Sequence, residues 1–428
     1  MFKAANPDTG MIELEEAQQI VLGAVEPTEV EEVEAWRAVG RPLARDVATD
    51  TDLSPFANSA MDGYALLAAD LEGASDAAPV TLDVVGHEAA GHVFEGTVGK
   101  GQAVRIMTGA PVPEGADAVV KYEVVEVEGG DGSGNEGCRA VFRAPARPGD
   151  NIREAGLEAK RGEAVMRAGE AVTAAGAGLL ASAGCLMAPV HRAPRVSVLS
   201  IGSELVAPDR EPARGQIRDS NSSAIMASAL AAGAAPEFHG IVPDDPEAIS
   251  EAVHKALRQA DFVVTSGGAS AGDYDFLRHL VSTEGELLFD RISLKPGKAI
   301  TFGIVDGVPV LALSGNPAAA FVGFEMLARP AIRKMLGHTE LTRPVQLARI
   351  GVKVKKRQAR RFYNRARVGR DEKTGELVVE QAPTQNSALL GDLHRGNALL
   401  MVPDGLEGYE AGDLVPCVRY DIEEGTVL

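Results

Sequence analysis

The spacing of hydrophobic positions changes period several times along this chain of 428 residues, and each change predicts a different kind of element. Between Met11 and Val25, Ile12, Leu14, Ala17, Ile20, Val21 and Ala24 fall near one helical stripe, with Glu13, Glu15 and Glu16 outside it. That is the pattern of an amphipathic packing helix. Glu29 to Val39 reads as a second helix, closed by Arg41-Pro42 and carrying the sole tryptophan, Trp36, in the core or at an interface. From Asp46 to Pro148 the apolar runs shorten and are broken by Gly and Pro. Val80 to Val85, Ala103 to Met107 and Ala118 to Val120 predict strands of a small β-rich domain, with a mobile hairpin tip at the acidic, glycine-rich stretch Glu128 to Gly137. Ala164 to Ala183 turns helical again, so a helical domain is interrupted by a β-rich insertion with limits near Asp46 and Asp150.

From Pro194 strands and helices alternate. Val196 to Ile201 and Gly240 to Val242 read as strands, and Asp261 to Ser266 and Val308 to Leu313 are short apolar runs bounded by turn residues, as in strands buried on both faces. Asp219-Ser220-Asn221 caps a helix to Ala232, and Asp245-Pro246 starts another to Ala260. Such alternation predicts a parallel sheet with right-handed crossovers. A helix from Pro317 to Leu336 should kink or break at Arg329-Pro330. Beyond Thr342-Arg343-Pro344 the pattern is β-rich to the C-terminus. It includes a basic run, Lys353 to Arg370, that suits a solvated edge strand or a segment helping to hold an anion.

Composition narrows the partners. Lys and Arg total 42 against 61 Asp and Glu, a net charge of −19, which argues against nucleic acid or an anionic membrane but leaves room for a small anionic ligand. Length alone favours two to four domains. Cys138, Cys185 and Cys417 form no CxxC pair, so neither a disulfide framework nor a zinc site is indicated and a reducing cytoplasm fits. The first residues carry no continuous apolar stretch, and no run reaches the roughly 18 apolar residues of a membrane span. A cytoplasmic protein is therefore expected.

The candidate chemistry lies between Ala260 and Pro317, where two strands each empty into a glycine turn. Ser266, Gly267, Gly268 and Ser270 form the first, and Gly315, Asn316 and Pro317 the second, with Asn316-Pro317 starting a helix. At the carboxyl ends of parallel strands such turns let backbone N–H groups approach an anion. Between them stand two cations, Lys295 and Lys298, in Lys295-Pro296-Gly297-Lys298. Glu204, Asp244 and Asp275 fall just beyond strand ends on the same side, a set suited to a divalent metal such as Mg²⁺ beside a phosphate. His87 and His92 are five apart with Gly91 between, so the four-residue spacing of a helical zinc site is missing and surface histidines are the better reading.

Six spaced segments carry a resemblance: SAMDGYA (Ser59 to Ala65), RIMTGAPVP (Arg105 to Pro113), GSEL (Gly202 to Leu205), SGGASAGDYD (Ser266 to Asp275), KPGK (Lys295 to Lys298) and SGNP (Ser314 to Pro317). Together and in this order they resemble the molybdopterin molybdenumtransferase family, the MoeA type, related to the E domain of gephyrin. The resemblance covers nearly the whole chain. It implies a multidomain α/β and β fold: a split helical linking domain (1–46 and 150–193), an inserted β-rich domain (47–149), an α/β parallel-sheet domain of MoaB/MogA type (194–341) and a C-terminal β-barrel (342–428). It also implies an elongated homodimer that inserts molybdenum from molybdate into adenylylated molybdopterin, with Mg²⁺ and release of AMP, alongside an adenylyltransferase partner and molybdoenzyme maturation factors.

Residue by residue, the family's functional acids match Asp62, Glu204, Asp244 and Asp275, and its threonine matches Thr108. Its anion-handling lysine matches Lys295, with Lys298 beside it, and its C-terminal arginine and serine match Arg365 and Ser387. Two positions depart from the family pattern, Ser203 for an acid and Ser314 for a proline. Two other readings compete. The preceding adenylyltransferase step uses a related α/β domain with a similar glycine turn, and a gephyrin-like scaffold uses the same fold to bind peptides. The insertion and C-terminal domain favour molybdenum insertion over the first, and the lack of a long linker or appended domain disfavours the second.

Overall fold

The computed structural model describes residues 10–89, 91–268, 276–356 and 358–427. Helix α1 (Leu14–Gly23) buries Leu14, Ala17 and Val21 in the same cluster as Leu327, Ala331 and Ile332, far along the chain. Glu29–Val39 is not a helix. Val30–Glu34 is a strand antiparallel to Met187–His191, with Val30 opposite His191 and Glu34 opposite Met187, followed by a 3₁₀ turn at Ala35–Ala38. The partner strand lies too far along the chain for local periodicity to reveal, and pairing overrides a weak helical stripe. Trp36 is 62% exposed, outside the core, with the Arg37 guanidinium 4.8 Å from its ring centroid.

The second expected helix also begins later. Ala164–Met166 pairs with Val47-Ala48 as a strand, and α2 (Ala174–Ser182) starts where Thr173 Oγ1 accepts from Gly176 N at 2.9 Å. Ala35, Ala38 and Leu43 from before the β-rich region bury with Leu180 and Val190 from after it. Between these flanks, six strands form one sheet in the order 118–121, 63–66, 102–106, 80–88, 139–142, 126–128. His87 and Glu88 end the Val80–Glu88 strand, so the spacing of a helical metal site does not arise. His92 is exposed, whereas His87 is half-buried. The Glu128–Gly137 stretch connects the antiparallel strands Glu126–Glu128 and Arg139–Phe142, and its Gly134 carbonyl accepts from Tyr64 Oη at 3.1 Å.

The α/β sheet has the order 235–242, 195–201, 262–266, 308–313, 299–305, 285–291. Its first four strands are parallel and its last two antiparallel. The switch has a local cause. Asp306-Gly307 joins strands 299–305 and 308–313 with φ of 51° and 77°, and two consecutive positive φ values make a tight hairpin that leaves no room for a crossover. Helix α3 (Asn221–Ala231) packs on one face of the sheet, while α4 (Pro246–Leu257) and α5 (Phe276–Glu284) cover the other.

The long helix beyond Pro317 is continuous: α6 (Pro317–Gly323), a π turn (Phe324–Ala328) and α7 (Arg329–Met335). Pro330 has no N–H for the carbonyl of Met326, four residues earlier. The chain absorbs this as a π turn upstream, and Gln18 Nε2 of α1 donates to the Met326 carbonyl at 2.9 Å. One N-terminal glutamine thus repairs a proline defect 312 residues away.

In the C-terminal region five strands close on themselves: 361–370, 377–381, 345–350, 414–419 and 398–402, the last pairing back onto the first. Strand Arg361–Arg370 therefore has partners on both sides and is not a solvated edge, because closure abolishes edges. Leu294-Lys295, from the α/β region, pairs parallel to it at Arg361 and Phe362. No helix among the described residues is long and apolar enough to cross a membrane.

Candidate functional site

The two glycine turns meet at the ends of adjacent parallel strands. Gly267 has a φ of 85° and Gly268 of 72°, values that favour glycine. A Cβ on Gly267 would collide with the Ile201 carbonyl, and one on Gly315 would lie 3.8 Å from Gly267 Cα. Asn221, at the start of α3, ties the turns together: its Nδ2 donates to Ser266 Oγ at 2.7 Å and to the Gly315 carbonyl at 2.9 Å. Asn221 is 8% exposed, and its sequence signal was only that of a helix cap. Asn316 is the N-cap of α6, with Pro317 in its first turn. Ser270 and Asp275, with the rest of 269–275, lie outside the described residues.

Glu204 and Asp244 stand on exposed turns beyond neighbouring strands. Asp244 Oδ2 accepts from Ser203 N at 2.8 Å, and Ser203 Oγ accepts from Asp244 N at 2.9 Å. Ser203, one of the two departures, therefore closes this turn by a reciprocal pair. The Glu204 carboxylate folds back over the chain, so that a Cβ on Gly202 would lie 2.6 Å from its Oε2. Among the described residues no group of three His, Cys, Asp or Glu side chains is placed to hold a metal ion. Glu204 and Asp244 are two hard oxygen donors at neighbouring strand ends, a donor set that suits Mg²⁺ when phosphate oxygens complete the shell.

The expected cations occupy two places. Ser387 reaches the start of α6, its carbonyl accepting from Ala318 N at 2.9 Å. Arg365, 1% exposed, supports that loop: its Nη2 donates to the carbonyls of Thr384 (3.2 Å) and Asn386 (3.1 Å). Burial lowers the proton affinity of its guanidinium, partly offset by Asp392. Lys295 instead sits beside the barrel strand, its Nζ 4.5 Å from the Phe362 ring centroid. Strand alternation places Phe362 and Arg365 on opposite faces; Phe362 joins the barrel core, whereas Tyr363 packs with the α/β core. Lys298 is exposed, on the far side of Gly297.

Asp62 and Thr108 form a unit of their own in the inserted domain. Thr108 donates to Asp62 Oδ1 from both its hydroxyl and its backbone N, each at 2.7 Å. The hydroxyl first, then the amide, hold the Asp62 carboxyl below its ordinary range. Among the described residues no hydrogen bond or ion pair joins this unit to the glycine turns.

The architecture defines a class: an α/β domain with anion-suited turns at its strand ends, a closed barrel after it and a β-rich sheet inserted before it. Residues 12–184 match the MoeA N-terminal region (domain I and II), 197–334 a probable molybdopterin binding domain and 348–419 the MoeA C-terminal region (domain IV). The chain is 34% identical over 419 residues, 97% of its length and 95% of the relative's, to a molybdopterin molybdenumtransferase of Bacillus subtilis strain 168. It is 33% identical over 383 residues, 89% of each, to one of Staphylococcus epidermidis. Two crystal structures of molybdopterin biosynthesis MoeA protein from Pyrococcus horikoshii superpose with TM-scores of 0.82 and 0.79 at 29% and 28% identity, each covering 96% of this chain and 100% of the other. The chain belongs to the molybdopterin molybdenumtransferase (MoeA) family.

Proposed function

We propose that this protein inserts molybdenum from molybdate into adenylylated molybdopterin and releases AMP. The observation that carries the reading is the pair of glycine turns locked by Asn221 at the ends of two parallel strands, in a chain that matches the MoeA regions over most of its length. Backbone N–H groups of the turns and the start of α6 bind the anionic part of the nucleotide substrate. Ser387 borders that helix start, and Arg365 keeps its loop in place. Glu204 and Asp244, with Asp275, would hold Mg²⁺, which neutralises phosphate charge when bound. Lys295 and Lys298 attract molybdate, a tetrahedral dianion that needs donors and positive charge without carboxylates alongside.

The Asp62–Thr108 pair is remote in sequence from these turns, and we assign it to the cleft of the other subunit in a homodimer. We set the domain limits near 46, 149, 193 and 341, and a cytoplasmic location suits unpaired Cys138, Cys185 and Cys417. An adenylyltransferase is the partner that supplies the substrate, and maturation factors of molybdoenzymes receive the product.

The test is incubation of the full chain with adenylylated molybdopterin, Mg²⁺ and molybdate, followed by assay of AMP and of molybdenum bound to the pterin. Absence of both products would overturn the reading. Consumption of ATP with unadenylylated molybdopterin would favour the adenylyltransferase instead. Mixed dimers of Asp62→Ala and Glu204→Ala subunits should recover activity at one of two sites. No recovery in proven heterodimers would remove the shared cleft.

A further inference from the structure

The turn that carries Glu204 and the turn that carries Asp244 are joined by a residue to which the proposed chemistry gives no part. Strands Arg195–Ile201 and Ala235–Val242 run parallel, with Ile201 opposite Val242. At their ends Gly202 N donates to the Val242 carbonyl at 3.0 Å. Beyond that bond the two chains diverge, one into the short strand Leu205-Val206 and the other into α4. Ser203 carries the pairing one step further. Its N donates to Asp244 Oδ2 at 2.8 Å, and its Oγ accepts from Asp244 N at 2.9 Å.

The two neighbouring aspartates are used differently. Asp245 is spent on α4, its Oδ1 accepting from Ala248 N at 2.9 Å. Asp244 gives one oxygen to Ser203, and no hydrogen bond or ion pair among the described residues uses its Oδ1 or the Glu204 carboxylate. The Glu204 carboxylate folds back over Gly202, whose N–H is bonded to the residue two before Asp244. Both carboxylates therefore belong to one pair of strand ends. Ser203, Glu204 and Asp244 are all exposed, so packing does not fix the acids and a hydrogen bond has to. An aspartate at position 203 would offer the Asp244 amide the same kind of acceptor, but it would place a further negative charge within hydrogen-bond distance of that turn. Serine supplies the acceptor without the charge.

We infer that Ser203 is a positioning residue that sets how strongly nucleotide binding depends on a divalent metal. A carboxylate that ligates a metal is held in orientation by an outer hydrogen-bond partner, and Ser203 N does this for Asp244 while leaving Oδ1 free. Affinity for a hard cation rises with the number of carboxylates in the site. Each carboxylate also repels a phosphate that arrives without metal. A neutral residue at 203 shifts that balance toward the phosphate: Asp244 is held ready for Mg²⁺, and the anionic nucleotide meets one charge fewer at the strand ends.

This inference rests on the function proposed above, and the two fail separately. The probe is AMP, on the full chain at fixed ionic strength, for the wild type, Ser203→Ala, Ser203→Thr and Ser203→Asp. AMP binding without metal is measured by equilibrium dialysis, and Mn²⁺ binding in the presence of AMP by electron paramagnetic resonance. Ser203→Ala removes the hydroxyl acceptor and should raise the Kd for Mn²⁺ by about tenfold, the lower end for loss of an outer partner of a metal ligand, with metal-free AMP binding unchanged. Ser203→Thr keeps the hydroxyl and should restore the wild-type Mn²⁺ affinity. Ser203→Asp should bind Mn²⁺ more tightly and metal-free AMP about three- to tenfold more weakly, as one added charge near the phosphate requires. Wild-type values of both quantities in Ser203→Ala and Ser203→Asp would overturn the role of Ser203 and leave the proposed function intact. A lowered melting temperature of Ser203→Ala with unchanged Mn²⁺ affinity would overturn it too, since the pair would then serve the fold alone. Should Ser203→Asp not fold, equal Mn²⁺ affinities in Ser203→Ala and Ser203→Thr would overturn it. No AMP binding by the wild type, with or without metal, would remove the basis of the inference. Failure of the wild type to release AMP from adenylylated molybdopterin at any Mg²⁺ concentration would overturn the proposed function itself.

Discussion

Two clusters of positive charge differ in what neutralises them. Around α7, Arg329, Arg333 and Arg343 converge on Glu325 and Glu424, with Arg329 Nε 2.5 Å from Glu424 Oε1 and Arg343 Nε 3.0 Å from Glu325 Oε2. The carboxylates are almost fully buried, and Glu424, far along the chain from Arg329, packs against α7. Lys295 and Arg360, by contrast, have no acid partner among the described residues. A buried arginine that the fold has matched with glutamate is part of the architecture, and removal of one partner leaves a charge stranded. A cation left unmatched at a cleft destabilises the fold slightly and is available to a ligand.

The largest effect should come from the first cluster. Glu424→Gln strands up to three arginines and should lower stability by about 3–5 kcal/mol in urea denaturation, because breaking a buried pair leaves an uncompensated charge. A loss below about 1 kcal/mol would show that water reaches this cluster. Lys295→Gln should do the reverse. Stability should stay within about 0.5 kcal/mol of the wild type, while the molybdate concentration needed for half-maximal insertion rises by about tenfold, equivalent to about 1.4 kcal/mol. A clear loss of stability without a change in molybdate requirement would erase the distinction between the clusters.

A pH dependence sharpens the contrast further. Burial first, and the Arg333 charge second, hold His338 at about 4, below its ordinary value of 6.5. Between pH 6.5 and about 4 the unfolded chain takes up a proton that the folded one refuses, so stability rises with pH across this window and is lost as pH falls through it. His338→Asn should flatten the slope of stability against pH there. Glu424 adds to the loss at lower pH: burial opposes its ionisation, but the Arg329 contact outweighs that and holds it below the ordinary 4.5. Its contribution is present above 4.5 and disappears as pH falls through the lower folded value. The smallest effect is that of salt. Raising ionic strength from about 0.1 to about 0.5 M should weaken molybdate binding at half-exposed Lys295 a few-fold and leave the midpoint of urea unfolding nearly unchanged, since screening acts on exposed charges more than buried ones.

Where the sequence carried a local signal, the structure follows it closely. Asp245-Pro246 starts α4 as its capping chemistry requires, with Asp245 Oδ1 accepting from Ala248 N at 2.9 Å. The runs Val196–Ile201, Phe262–Ser266 and Val308–Leu313 are strands buried on both faces. The Asp306-Gly307 hairpin makes the last two strands antiparallel, which departs from the expected parallel sheet. Glu29–Val39 was misread because its strand partner begins at Met187, and Ala164–Met166 because its partner is Val47-Ala48. No local window contains either pair.

The sequence by itself determined the α/β alternation, the glycine turns and their phosphate-suited chemistry, the helix caps and the excess of acid over base, because each rests on neighbours within a few residues. Only the tertiary structure decided which charges are spent on the fold and which are left over. Arg360 and Arg361 are adjacent in sequence, yet one turns to Glu15 and the other to neutral oxygens. Asn221 is a helix cap by sequence and the clamp of two turns in space. Gln18 becomes meaningful only when Pro330 frees the carbonyl of Met326. The physical reason is the same in each case: a side chain's role is set by the partner it can reach after folding, and in a chain folded back on itself that partner is most often far away in sequence.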